Sequence, residues 1–281
     1  MAFDCYLREL LNGEKSAALR KNRKNKGIKL MENLKFTNIS PHIQKIAEPF
    51  FLDILSQHKD DIISLYIIGS AVTGDFHTVH SDINTLIVVK DVQIPFIDFL
   101  ATLGKRYGKR KLRAPFIMTC NYINRSLEVF PLEFLEMKQI HQLVYGENVL
   151  KDIKIEKADV RIQCERELKG KIQHLCQGYI KSMGNRTLLT NLLINSISGY
   201  FPIYRGILFL YDQKIPRERR DVIYAMQECC NVDLNIFAKL LELRTKNVYP
   251  PRETLNEIFQ DLYRVLEAIT KKVDEYEIGH T

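Results

Sequence analysis

Ile67-Ile-Gly69-Ser70, then eleven residues to Asp82-Ile83-Asn84, then Thr85-Leu-Ile-Val-Val89, is the stretch that decides the fold. A Gly-Ser pair ends one apolar run, and an acid-apolar-amide triplet opens the next. In a strand, residues i and i+2 point to the same face. Asp82 and Asn84 therefore project together beside the Gly-Ser turn.

The flanking sequence extends this reading. Apolar residues at helical spacing predict a helix over 41–58, with Ser40 as N-cap and Pro41 in its first turn. The Ile- and Val-rich runs 64–68 and 83–89 predict strands, 94–107 a helix and 115–119 a further strand. Thr119 is placed to cap a short helix through Ser126. Leu132-Glu-Phe-Leu-Glu136 alternates and predicts a strand, followed by a helix Met137–Tyr145 stopped at Gly146. Strands alternating with helices imply an α/β (α+β) domain with a mixed sheet.

Beyond residue 155 the pattern is helical: 158–183, 187–212, 217–230, 232–246 and 252–276, broken at Gly184-Asn185, Pro216 and Pro250-Pro251. That predicts an all-α bundle. The expected organisation is a basic arm over 1–35, the α/β domain over 36–155 and the bundle over 156–281.

Of the 281 residues, 46% are hydrophobic and 27% charged, as in a soluble globular protein. No apolar stretch approaches the ~20 residues of a membrane span, and no signal core follows the N-terminus. A cytoplasmic location and no membrane partner are expected. Six scattered cysteines without a Cys-x-x-Cys pair predict free thiols, and adjacent Cys229-Cys230 lack the further ligands of a zinc site. The net charge of +7 suits an anionic partner: a nucleoside triphosphate, a nucleic acid or an acidic protein. It concentrates at 20–29 and 105–113, without the aromatic interleaving of a nucleic-acid motif.

Gly69-Ser70, Asp82-x-Asn84 and the order of elements around them resemble the nucleotidyltransferase superfamily. Gly69–Phe76, Phe130–Glu136, Tyr145–Leu150 and Arg161–Gly170 are similar to a bacterial group of nucleotidyltransferase-domain proteins with a C-terminal helical bundle. The superfamily includes antibiotic adenylyltransferases and small toxin or antitoxin enzymes. The resemblance implies a nucleotidyltransferase fold over 36–155 and transfer of NMP from an NTP, ATP by resemblance, to a hydroxyl of a small molecule or macromolecule. An acceptor oxygen attacks the α-phosphate, pyrophosphate leaves, and Mg²⁺ with carboxylates assists. Gly69, Ser70 and Ser81 would hold the nucleotide. Asp82 and a third acid on a neighbouring strand would be catalytic, and Asp82, Asn84 and that acid would hold the metal. Pro131 would interrupt a central strand, so a strand starting after it carries Glu133 in its middle; Glu133 is preferred, Glu128 comes next, and Glu136 faces the other way.

Asn84 stands where the superfamily places a second acid. An amide keeps an oxygen ligand but removes a full negative charge, which weakens Mg²⁺ binding; Asp75, Glu128 or Glu133 could compensate. Three functions stay open: nucleotidyl transfer, a catalytically impaired homologue that binds nucleotide or partner, and nucleic-acid binding through the basic clusters.

Other constellations carry less. His77-x-x-His80 with Asp82 could form a metal site, though loop histidines commonly face solvent. His141 and His174 read as partly buried packing residues, and Arg166 to His174 is too long for an Arg-x4–6-His ribonuclease motif. Within the apolar helix 188–210, Asn195, Ser198 and Arg205 are candidate acceptor contacts; Lys169, Lys171 and Arg161 are candidates for the triphosphate.

Overall fold

The structure, a computed structural model, describes residues 33–78, 81–246 and 248–277. Most of the basic arm, its cluster at 20–29 and His80 lie outside the described residues. Two bodies emerge. The first holds the described residues through Val72, Phe76–Cys120 and His141–Val149; the second holds Thr73–Asp75, Asn121–Ile140 and the described residues from Leu150 onward.

In the first body, α1 (Pro41–His58) begins as the sequence predicts: the Ser40 hydroxyl accepts from Ile43 N, and Pro41 loses no needed N–H. A four-stranded mixed sheet follows, built from β1 (Ile62–Ile68), β2 (Asn84–Val89), β3 (Phe116–Thr119) and β4 (His141–Gly146) in the order β3-β2-β1-β4. β1 pairs antiparallel with β2 and β4, and β2 pairs parallel with β3. A parallel pair needs a crossover, supplied by α2 (Ile94–Tyr107). β1 and β2 are near-continuous apolar runs buried along their lengths, as central strands require.

The second body contains α3 (Cys120–Ser126), which opens at the end of the first, and α4 (Pro131–Gln139). It continues with α5 (Lys157–Lys181), α6 (Arg186–Ser196), α7 (Phe201–Leu210), α8 (Arg219–Cys230), α9 (Asn235–Lys246) and α10 (Arg252–Asp274). Its core runs from Leu132 through Val160 and Leu168 to Tyr204, Phe237, Leu262 and Ile269. The α7 helix approaches so closely that a methyl on Gly206 would overlap Leu132. An α/β domain with a mixed sheet and an all-α helical bundle is thus the observed class. No helix among the described residues is long and apolar enough to cross a membrane.

Three local expectations are corrected. Residues 132–136 are not a strand: Pro131 sits at the first helical position, where its missing N–H costs nothing. The buried Leu132 N then finds the Gln163 side-chain oxygen at 2.9 Å. Second, 141–146 is β4 rather than helix, with Val144 bulged from the register and bonded to Lys35 N at 2.9 Å. Gly146 is no helix stop; at φ +83° it passes so close to β1 that a methyl there would overlap the Ile63 carbonyl. Third, 187–212 is two helices, because the turn Ile197–Gly199 and Pro202 interrupt the ladder.

Candidate functional site

The Gly-Ser turn and the triplet are brought together by register. Ile68, the last residue of β1, pairs with Asn84, the first of β2. The chain then turns through Gly69 at φ +71°, a left-handed conformation suited to glycine. A methyl on Gly69 would stand 3.9 Å from the Asn84 side-chain nitrogen, so this amide lies against the turn. Ala71 and Val72 are buried and anchor the turn beyond Ser70. Between Asp82 and Asn84, Ile83 is fully buried, as strand alternation requires if the two polar residues share the opposite face.

Ile83 also explains what sits on Asp82. It donates to Lys111 O at 2.8 Å and accepts from Arg113 N at 3.0 Å, in a parallel bridge with Leu112. This brings the Arg113 Nε to 3.2 Å from the Asp82 carboxylate, with side chains 68% and 38% exposed respectively. Ser81 is engaged locally: its hydroxyl accepts from His77 N at 3.0 Å and its own N–H bonds His77 O at 2.8 Å. Its oxygen holds the loop.

The expected acids are divided between the bodies. Gly69, Ser70, Ser81, Asp82 and Asn84 belong to the first; Glu128, Glu133, Glu136 and Asp75 belong to the second. Glu133 is exposed on α4 and accepts from Gln163 Nε2 at 2.9 Å, while Glu128 is exposed after α3. Asp75 accepts from Arg219 N at 3.0 Å, and burial pushes its carboxyl above the usual range. Glu136 is pushed up as well, burial outweighing the Arg205 guanidinium 3.2 Å away.

No family model matches the chain, and no curated protein does. Among solved structures it is similar to the spectinomycin adenyltransferase AAD(9) of Enterococcus faecialis, crystallised with ATP and spectinomycin. The two share 16% identity at a TM-score of 0.46, over 82% of this chain and 100% of that one.

Several of the remaining candidates have internal partners, while Asn195 is exposed. Arg205, 3% exposed, donates to Pro216 O at 3.3 Å and Arg217 O at 2.8 Å besides meeting Glu136. The Ser198 hydroxyl accepts from Arg244 at 2.6 Å. Arg161 and Lys169 both pair with Glu165, and the Lys171 ammonium lies over the Tyr200 ring. His141 is on β4, its ring nitrogen 3.2 Å from Asn148, whereas His174 is exposed rather than packed.

A resident Mg²⁺ fits these residues poorly. The ion demands octahedral oxygen donors and is commonly held by one or two carboxylates with substrate phosphates. Of the expected donors, the first body offers the Asp82 carboxylate, which bears a guanidinium, and the Asn84 amide. Among the described residues no three His, Cys, Asp or Glu side chains stand together as metal donors. Composition exposed Arg113 only as one charge in the 105–113 cluster; its pairing depends on the Ile83–Leu112 bridge, which leaves no local pattern.

Proposed function

We propose that this chain is a nucleotidyltransferase-fold protein whose first body takes the phosphates of a nucleoside triphosphate, ATP by resemblance, at the Gly69–Ser70 turn. Its capacity for NMP transfer is impaired. The observation that carries this reading is the pairing of Ile68 with Asn84, which sets a left-handed glycine turn against the Asp82-x-Asn84 triplet. Such a turn lets backbone N–H groups approach an anion closely. Arg113, exposed beside Asp82, adds positive charge where phosphate oxygens would lie. The impairment follows from chemistry: with Asn84 in place of an acid, the site lacks a full charge toward a hard divalent cation.

The second reading is active transfer of an AMP group to a hydroxyl acceptor, with Glu133 as the third acid. Its exposed carboxylate favours it.

Incubating the full chain with each labelled NTP, Mg²⁺ or Mn²⁺ and a panel of hydroxyl acceptors separates the two. The impaired reading expects nucleotide binding, negligible pyrophosphate release, and a gain of metal affinity in Asn84→Asp. Native pyrophosphate release that disappears in Asp82→Ala and Glu133→Gln would establish the second reading instead. Absence of NTP binding would sink both.

A further inference from the structure

The first body contains a cavity that shares only Arg113 with the nucleotide reading. It lies between α1, α2 and the 112–117 segment, has a volume of about 380 Å³, and is lined by Phe50, Leu100, Leu112, Ile117 and Arg113 among others. That volume falls within the range of small-molecule sites, ~300–1,000 Å³. Arg113 is the one charged residue in the lining. Tyr107, the other ionisable group, is committed: its hydroxyl donates to Asp53 at 2.7 Å and its ring packs against Phe50.

Two glycines lie in the wall. Gly104 lies inside α2 and Gly108 directly after it, Gly108 at φ −58°. Neither has the left-handed backbone that favours glycine, and a methyl on either would meet nothing within 4 Å. Both are exposed, so this wall of the cavity opens to solvent and leaves room for an occupant against α2.

We propose that this cavity binds a small amphipathic carboxylate, its apolar body against α2 and its charge on Arg113. The same guanidinium holds Asp82 at 3.2 Å, so the occupant and Asp82 compete for it. The backbone of Arg113 is fixed by its bond to Ile83 O, whereas its side chain is exposed and able to exchange partners. A neutral alcohol of equal length would gain the apolar contact without the charge-assisted bond.

The test is calorimetric titration of the full chain, without nucleotide, with n-alkyl carboxylates from hexanoate to decanoate and the matching alcohols. Affinity should rise about fourfold per methylene until the cavity fills, with carboxylates about tenfold ahead of alcohols. Arg113→Gln should abolish that preference and spare the alcohols. Asp82→Asn should tighten carboxylates several-fold by removing the competitor. Gly104→Leu should weaken both series at least tenfold while leaving the melting temperature unchanged or higher; Ala101→Leu, from the same wall, serves if Gly104→Leu fails to fold. Equal binding of carboxylate and alcohol by the native chain, or undiminished binding by a folded cavity-filling variant, overturns the proposal. Because no nucleotide is present, loss of the nucleotide reading would leave this result unaffected.

Discussion

Each body contains an arginine–carboxylate pair at 3.2 Å, and the two pairs have opposite characters. Arg113–Asp82, in the first body, joins side chains 68% and 38% exposed. Arg205–Glu136, in the second, joins side chains 3% and 29% exposed. In water the first exchanges partners at little cost. In the second, Arg205 is buried and further bonded to two backbone carbonyls, so removal of Glu136 strands a buried charge, and removal of Arg205 leaves a partly buried carboxylate unpaired. Equal distance does not imply equal function: one pair suits recognition, the other fixes a helix junction.

The largest effect is expected from breaking the buried pair. Arg205→Ala should cost about 3–5 kcal/mol, read by chemical denaturation of the full chain. The double variant Arg205→Met with Glu136→Leu should recover most of that loss, because no unpaired charge remains. The body with the loose pair has its own unforgiving point, a backbone one: Gly146→Ala should cost about 2–3 kcal/mol, seen as lost amide protection along β4.

Acid titration sharpens the contrast next. Burial raises the Glu136 carboxyl above its ordinary 4.5. A group with a raised folded pKa contributes stability that is fully present below the unfolded value and lost as pH rises through the folded one. The denaturation midpoint of the native chain should therefore gain less than that of Glu136→Gln as pH rises through this window. The smallest effect belongs to the exposed pair: Arg113→Gln should change stability by less than about 1 kcal/mol, an effect shrinking further as salt is added.

The sequence conveyed the fold well where local pattern and tertiary context agree. Ser40 does cap α1, and α2 occupies the predicted 94–107. The runs at 64–68 and 83–89 pair as strands, although their register was not readable. Local pattern is ambiguous between 131 and 146, where a proline that interrupts a strand equally well starts a helix. There Gln163, thirty-one residues from Leu132, supplies a first-turn acceptor. A glycine after an apolar run looked like a helix stop but was required by close strand packing. For the site, the spacing brings Asn84 beside the Gly69 turn. It could not reveal Arg113, whose approach depends on a backbone bridge between residues far apart in sequence. Nor could it pair Glu136 with Arg205, since each was visible only on its own element.

Among the described residues β3 and β4 end the sheet, and neither is suited to recruiting a strand from another copy of the chain. On one side β3 is only four residues long and follows Pro115. On the other, β4 is kinked by the bulge at Val144, whose carbonyl already receives Lys35 N. Short length, proline and bulges are features that discourage edge-to-edge growth. The most fibril-prone segments, Ile62–Ile68 and Asn84–Val89, are thus enclosed between strands whose own features discourage templating.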